Sequence, residues 1–322
     1  MISENNSQNV TVVTACDSKF VWGAILLGLS LRYHKMDCIY HILGYDLSSE
    51  EISFLESIPN TKVYPTHKPN TRSVCTQKPI ALALAETEII IWMDSDCMAT
   101  GNLDKFFYCC DDSIQIRWRG ESENATVYRN YYHKDDDWGT IPKAVLDVWK
   151  KDVADLESPQ ITTVCQTNCF VIRREHLDFI ELWHRQMDKV IPIDTVGVYA
   201  KQSKAYSMTD ESVLNSLFAF SSKAPKTCQY QMDTDPDAYC LHFGLSPKPW
   251  EHWSRQSLKH YRLIMNLLIW AKAEGIKLPV YPKSFLARYY MWEKLRASLE
   301  YWFKQSRYQM SNALHKLRKA IS

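Results

Sequence analysis

The chain has 322 residues, 46% hydrophobic and 23% charged, with a formal net charge of +1 at pH 7. These are ordinary values for a soluble globular protein, and the length suits one large α/β domain with an appendage or two small domains. No P-loop and no Gly-x-Gly-x-x-Gly occurs, so ATPase and dehydrogenase chemistry fit poorly. The polar start, Met1 to Val10, reads as neither signal sequence nor membrane anchor. The ten cysteines form no Cys-x-x-Cys pair, and Cys109 and Cys110 are adjacent. They are expected to be reduced thiols in a cytosol.

In chain order, strand and helix signals alternate. Asn9 to Ala15 is a β-branched run, Val21 to His34 a mostly apolar helix pattern, and Cys38 to Tyr45 a second strand. Ser48-Ser49-Glu50-Glu51 is a capping box that opens a helix through Glu56. Lys62 to Tyr64 is a short strand. Pro79 to Glu86 is a helix with proline in its first turn. Glu88 to Met93 has the composition of a fully buried strand. This rhythm implies βαβ units around a mainly parallel sheet.

Beyond Gly101 the pattern loosens. Ser113 to Trp118 predicts a strand, and Arg119 to Ile141 a long polar and aromatic loop. Tyr131, Tyr132 and Trp138 within that loop suit either sugar stacking or packing. Cys169 to Arg173 predicts a strand followed by a helix to Val190. Asp210 to Phe220 predicts a helix, and Tyr239 to Phe243 a last short strand. No internal repeat or low-complexity linker interrupts the series.

The tail differs in charge. From Glu251 onward there are 14 Lys or Arg against 4 Asp or Glu, so the tail is strongly basic and the rest acidic. Phe285, Tyr289, Trp292, Leu295, Leu299, Trp302 and Phe303 recur at roughly helical spacing. Lys294, Arg296, Lys304, Arg307, Lys316, Arg318 and Lys319 stand among them. Such a helix either lies in an anionic membrane interface or packs on its own domain. The apolar stretch Leu263 to Ala271 is far too short to span a bilayer. No nucleic-acid motif accompanies the basic tail, so a nucleic-acid partner is not expected.

Two motifs carry chemistry. Asp94-Ser95-Asp96 follows the buried strand ending at Met93. Ligands in open α/β sheets bind at the carboxyl ends of strands, and two carboxylates on a tight turn can share a hard divalent cation that bridges a diphosphate. Asp135/Asp137, Asp233/Asp235 and Asp235/Asp237 repeat the spacing in polar segments, where acidic turns are the usual explanation. The second motif runs from His242 through Gly244 and Lys248 to Trp250. Imidazole with carboxylates suits Mn²⁺, an all-oxygen set suits Mg²⁺, and a lysine can serve as a point charge for phosphate.

From about Val10 to Trp250 the sequence resembles glycosyltransferase family 8, which includes glycogenin and bacterial lipopolysaccharide galactosyl- and glucosyltransferases. The signatures, in order, are Ala15-Cys16-Asp17, Lys78 sixteen residues before Asp94, Asp94-Ser95-Asp96, Asp210 to Asn215, and His242 to Trp250. The resemblance implies a GT-A nucleotide-diphospho-sugar transferase fold: a Rossmann-like, mostly parallel sheet flanked by helices, over residues 1–250. Residues 251–322 would form a helical basic appendage. It implies Asp94, Asp96 and His242 as Mn²⁺ ligands, with Mg²⁺ as the substitute, and Lys248 on the donor diphosphate. It implies Asp17 near the uracil or ribose, Lys78 near the donor phosphate or sugar, and Asp210 on sugar hydroxyls. Ser95 and Gly244 belong to the same donor site. The expected activity is retaining transfer of a hexose from a UDP-sugar, UDP-glucose or UDP-galactose, to a glycan, glycolipid or glycoprotein acceptor. The expected place is cytoplasmic or peripheral on the cytosolic membrane face.

The chain departs from the family pattern at three points. Glu211 stands where the family usually has glutamine, and a carboxylate there is a candidate nucleophile or cation stabiliser under the anomeric carbon. Gln166-Thr167-Asn168 replaces the usual Asn-Ala-Gly type of triplet in the donor site. Gly244 comes one residue early after His242, while the His-to-Lys spacing is kept. Two other readings are an inverting transferase using Asp135, Asp136 or Asp137 as base, and a non-catalytic nucleotide-sugar or glycan binder.

Overall fold

The computed structural model describes residues 9–68, 72–104, 112–193, 204–229 and 238–321, with side chains of the last helix described to Arg307 and at Met310. The chain divides into two compact units, residues 1–242 and 243–322.

The first unit is built on a sheet that starts as the β-branched runs require. Strands β1 (Val10–Asp17), β2 (Ile39–Tyr45), β3 (Thr61–Thr66) and β4 (Ile89–Met93) all run parallel. Helix α1 (Val21–Tyr33) crosses from β1 to β2 and is apolar on nearly every side because it is buried. Helix α2 (Ser49–Glu56) opens with the expected capping box: Ser48 Oγ accepts from Glu51 N, and Glu51 Oε2 accepts from Ser48 N. Helix α3 (Lys78–Leu82) carries proline in its first turn and stops earlier than its sequence pattern suggested.

The second half of the sheet is where the parallel expectation gives way. Strand β5 (Cys97–Ala99) leaves the main sheet. Strand β6 (Ile114–Trp118) rejoins it, and β7 (Cys165–Arg173) runs antiparallel between β4 and β6. With β8 (Thr227–Gln229) the sheet order is β3-β2-β1-β4-β7-β6-β8 among the described residues. Four of its neighbouring pairs are parallel and two antiparallel. The reversed β7 brings its first residues to the carboxyl edge of β4: Met93 sits opposite Cys169, and Asp94 N donates to Asn168 O at 2.8 Å. A separate two-stranded ladder pairs β5 with β9 (Cys240–His242), Cys97 opposite His242.

The Arg119 to Ile141 segment is not a structureless loop. It contains helix α4 (Glu121–Val127), whose N-terminus is capped by Glu123, with Oε2 accepting from Gly120 N. Its polar residues tie it down: Asn124 donates to Gly139 O and accepts from Val164 N. Tyr132 donates to Thr140 O, and its ring lies 4.7 Å from that of Trp138. Helices α5 (Lys143–Val153), α6 (Leu177–Val190) and α7 (Asp210–Phe220) then cover the sheet, with Trp149, Trp183, Phe179 and Phe218 in one buried cluster with Trp92 and Phe170.

The second unit holds α8 (Tyr261–Ala273) and the long α9 (Tyr290–Ile321). Buried Trp253 joins its parts, donating from Nε1 to Ser284 O at 2.7 Å and meeting the rings of Tyr261 and Phe285. Glu293 of α9 is buried and accepts from His252 Nδ1 and from Trp253 N. Among the described residues, no helix is long and apolar enough to cross a membrane.

The cysteine expectation needs correction. Cys16, Cys38, Cys75, Cys97, Cys165, Cys169 and Cys240 are thiols outside any disulfide, but Cys228 is disulfide-bonded. The scattered spacing of the cysteines gave no signal of that bridge. Cys109 and Cys110, like Asp233, Asp235 and Asp237, lie outside the described residues.

Candidate functional site

The carboxyl edge of the central strands gathers the chemistry-bearing residues of the first unit. β1 and β4 are parallel neighbours, so Asp17, the last residue of β1, and Asp94, just past β4, emerge at the same edge. β7 begins there, because it runs the other way, and brings Gln166, Thr167 and Asn168 with it.

Lys78 is the centre of the arrangement. Its ammonium lies 3.0 Å from Asp94 Oδ1, 2.9 Å from Asp210 Oδ2, and 3.0 and 3.1 Å from the carbonyl and hydroxyl of Thr167. Three protons are thus shared among four acceptors. The side chain is 5% exposed. Burial pulls its pKa down, but Asp210 and Asp94 outweigh that and hold it above the ordinary lysine value. The network extends outward: Thr167 and Thr209 hydroxyls donate to the two oxygens of Asp210, and Trp183 Nε1 donates to the Asp210 carbonyl at 3.0 Å.

Thr209, immediately before α7, has φ 44° and ψ −114°. A β-branched residue at positive φ is strained, and such strain concentrates at functional sites. Asp210 and Glu211 occupy the first turn of α7, where the helix dipole favours carboxylates.

Glu211 is not a free carboxylate. Arg119, at the end of β6, grips both its oxygens, Nη1 to Oε1 at 2.6 Å and Nη2 to Oε2 at 3.2 Å, and also donates to Cys165 O at 3.0 Å. Burial pushes the Glu211 carboxyl up, and the guanidinium pulls against that. Asn215, one turn on, clamps α7 to β7: it accepts from Cys165 N and donates to Cys165 O and Glu211 O.

Asp94, Asp96 and His242 meet as the sequence suggested, but not as equals. His242 Nε2 is 3.3 Å from Asp96 Oδ1 and 3.9 Å from Asp94 Oδ2. The other oxygen of Asp94 is taken by Lys78 and by Trp92 Nε1 at 2.8 Å. Among the described residues, Asp96, Cys97 and His242 offer a set of ligand atoms all within 4.8 Å of one another. Burial raises the Asp94 carboxyl, with Asp96 adding to the effect. Burial lowers the His242 imidazole, yet the hydrogen bond and charge of Asp96 bring it above its ordinary value. Two carboxylates and an imidazole fit a divalent cation of the Mn²⁺ type.

The remaining sequence candidates stand apart from this network. Asp17 Oδ1 accepts from Lys19 N, and its Oδ2 is 3.8 Å from Lys68 Nζ. Ser95 is buried in the turn between the two aspartates. Gln166 lies opposite Arg117 in the β6–β7 ladder. Gly244 and Lys248 belong to the second unit. Gly244 is exposed, while buried Lys248 donates to Phe243 O at 2.6 Å. Sequence reasoning missed Arg119, Cys97 and Thr209. A lone arginine at a strand end, a cysteine after an aspartate and a threonine before a helix are all commonplace, and no spacing rule marks them.

No protein-family model matches the sequence, and no curated protein is similar to it at the sequence level. Solved structures do match in shape. The glycosyltransferase GlyE of Streptococcus pneumoniae TIGR4 superposes over 86% of this chain and 66% of its own, at a TM-score of 0.51 and 13% identity. The bifunctional glycosyltransferase WbbM superposes over 83% of this chain and 50% of its own, at a TM-score of 0.53 and 12% identity. The fold is that of the GT-A glycosyltransferases. The likeness is one of fold, and the chain spans about two thirds of the GlyE chain and half of the WbbM chain. In this fold class, ligands are received at the carboxyl edge of the parallel strands, where Asp17, Asp94 and the start of β7 lie.

Proposed function

We propose that the chain is a retaining, divalent-metal-dependent glycosyltransferase that moves a hexose from a UDP-sugar, UDP-glucose or UDP-galactose, to a glycan, glycolipid or glycoprotein acceptor. The observation that carries this reading is the convergence of Asp94, Asp96 and His242 at the carboxyl edge of β4, with Lys78 bridging Asp94 to Asp210. Residues 1–250 would serve catalysis and 251–322 form the basic appendage, a division that falls inside the second compact unit, residues 243–322.

In this reading Asp94, Asp96 and His242 hold Mn²⁺, or Mg²⁺ in its place. Bound there, the ion supplies Lewis-acid stabilisation of the charge that develops on a departing diphosphate. Lys78 fixes the orientation of Asp94 and neutralises Asp210. Asp17 and Ser95 line the nucleotide side. Gln166, Thr167, Asn168 and Asp210 face the sugar. The sugar passes through an oxocarbenium-like state, and Glu211 stabilises it as a fixed negative charge. With both oxygens held by Arg119, Glu211 suits that electrostatic role better than covalent attack.

The inverting alternative would use Asp135, Asp136 or Asp137 as base. Asp136 caps a turn, accepting from His133 N and Lys143 N, which leaves Asp135 and Asp137 as the bases that reading would use. The appendage points to a peripheral place on the cytosolic membrane face. Exposed Trp292, Leu295, Leu299, Trp302 and Phe303 share α9 with Lys294, Lys304 and Arg307, a pattern suited to an anionic bilayer surface.

The deciding experiment screens UDP-sugars with the purified chain, with Mn²⁺ or with chelator, and follows UDP release. Metal-dependent release from one donor, lost in Asp96→Asn and His242→Asn, is expected. No release from any donor and no UDP binding by calorimetry would leave a non-catalytic protein on a transferase fold.

A further inference from the structure

Cys97 is the residue that neither the sequence motifs nor the proposed activity uses. It follows Asp96 directly and sits opposite His242 in the β5–β9 antiparallel ladder. Residues directly opposed in such a ladder project from the same face of the ribbon, with Cβ atoms roughly 5 Å apart. The Cys97 thiol is therefore aimed to the same side as the His242 imidazole. Its sulfur lies 3.5 Å from Asn168 O and, with one oxygen of Asp96 and one nitrogen of His242, falls within the 4.8 Å cluster. Asp94 contributes no atom to that cluster, and its Oδ1 is held by Lys78 and Trp92. Cys97 is buried and Asp96 nearly so, while the His242 side chain is 33% exposed, so the trio opens to solvent on the imidazole side.

Sulfur, imidazole nitrogen and carboxylate oxygen are the ligand set of a borderline-soft ion. A hard ion such as Mg²⁺ gains nothing from the sulfur. We propose that Asp96, Cys97 and His242 form a tetrahedral site for Zn²⁺ or another thiophilic divalent ion, with a fourth position open to solvent or ligand. The inference rests on reading Asp96 and His242 as metal ligands. On binding, the Cys97 S–H bond breaks, its electron pair forms the metal–sulfur bond, and the proton leaves to solvent. The soft site shares Asp96 and His242 with the Mn²⁺ site, so one ion excludes the other. By the general affinity order for divalent ions, Zn²⁺ displaces Mn²⁺ at equal concentration. The Cys97 side chain thus makes the centre zinc-sensitive where a Val or Ala at 97 would leave it a purely nitrogen and oxygen site.

The test uses the full chain with one equivalent of Cd²⁺ as a spectroscopic substitute for zinc. A thiolate-to-cadmium charge-transfer absorption is expected in the wild type, absent in Cys97→Ser and retained in Cys240→Ser, which removes the neighbouring buried thiol. Zinc affinity, from competition with a chromophoric chelator, is expected to fall by roughly 10- to 100-fold or more in Cys97→Ser, since even outer-shell losses cost that much. Persistence of the absorption in Cys97→Ser, or its loss in Cys240→Ser alone, overturns the inference. Should Cys97→Ser fail to fold, X-ray absorption at the cadmium edge of the unmodified chain decides. A sulfur scatterer supports the site, and a shell of nitrogen and oxygen alone overturns it. Paramagnetic resonance of bound Mn²⁺ separates this inference from the reading beneath it. Mn²⁺ binding that Zn²⁺ displaces supports both. Mn²⁺ binding that Zn²⁺ leaves untouched overturns the soft site only, and binding of neither Mn²⁺ nor Cd²⁺ overturns both.

Discussion

The site of the first unit and the surface of α9 in the second treat charge in opposite ways. In residues 1–242, Lys78 and Arg119 are buried against Asp94, Asp210 and Glu211, with side-chain exposures of 5% and 7% for the two cations. In residues 243–322, the Lys304–Glu300 pair lies in solvent, Arg296–Glu300 is half-buried, and both sit on one helix, α9. Large apolar groups reverse the pattern: Trp92, Trp149 and Trp183 are buried in the first unit, while Trp292, Trp302 and Phe303 of α9 are exposed. Buried ion pairs are costly to assemble and cannot be removed one partner at a time without leaving an uncompensated charge, whereas exposed pairs contribute little. The first unit therefore spends folding free energy on holding charges at a site. The outer surface of α9 in the second unit keeps its charges and aromatic rings available, although that unit too buries Glu293 and Trp253.

The largest effect that would sharpen this contrast is at Lys78. Lys78→Met leaves Asp94 and Asp210 facing each other without a cation. Urea denaturation is expected to show a loss of about 3–5 kcal/mol, together with loss of metal-dependent UDP release. Unchanged stability would break the comparison at its strongest point.

Next comes the Arg119–Glu211 pair. Arg119→Met and Glu211→Leu are each expected to cost about 3 kcal/mol, and the double variant Arg119→Met/Glu211→Leu far less than their sum, in a denaturation cycle. Additive losses would mean that the bidentate pair is not coupled. In turnover, Glu211→Gln is expected to lose most activity at saturating donor, and full retention would remove Glu211 from the reaction.

Glu293 tests the one strongly buried acid in the description of the second unit. Burial alone would raise its pKa, but the His252, Trp253 N–H and Arg296 hydrogen bonds hold it below the ordinary carboxylate value. A depressed folded pKa means its stability contribution is present above the ordinary carboxylate range and is lost as pH falls through the folded value. Acid titration followed by tryptophan fluorescence should show the second unit loosening below about pH 4. Glu293→Gln should be less stable by about 2 kcal/mol at neutral pH and flatter with pH. A variant as pH-sensitive as the wild type would refute the assignment.

The smallest effects belong to the surface of α9. Lys304→Ala is expected to change stability by less than about 0.5 kcal/mol. Trp302→Ser/Phe303→Ser should likewise leave the melting temperature nearly unchanged, because both rings are exposed, while weakening sedimentation with anionic phosphatidylserine vesicles. A large drop in melting temperature would show that these rings pack, and equal sedimentation would remove the membrane reading.

Much of the fold was legible because its signals are local. The capping box at Ser48 and Glu51, the buried Ile89–Met93 strand and the helix from Asp210 to Phe220 all appear where the pattern places them. The Arg119 to Ile141 segment was misread because α4 is held by Asn124 reaching Gly139 and Val164, contacts invisible to periodicity. The antiparallel β7 was equally hidden, since a fully buried strand has the same composition in either direction.

The site divides along the same line. The amino-acid sequence alone determined that two aspartates would follow a buried strand and that a histidine would end a later one. Both rest on nearest-neighbour chemistry. Only the tertiary structure decided what those groups touch. It gave one oxygen of Asp94 to Lys78, both oxygens of Glu211 to Arg119, and set Cys97 beside His242. Those partners lie 16 to 145 residues apart in the chain. Burial sets the strength of each pairing, and burial is a property of the folded chain that no single stretch of sequence contains.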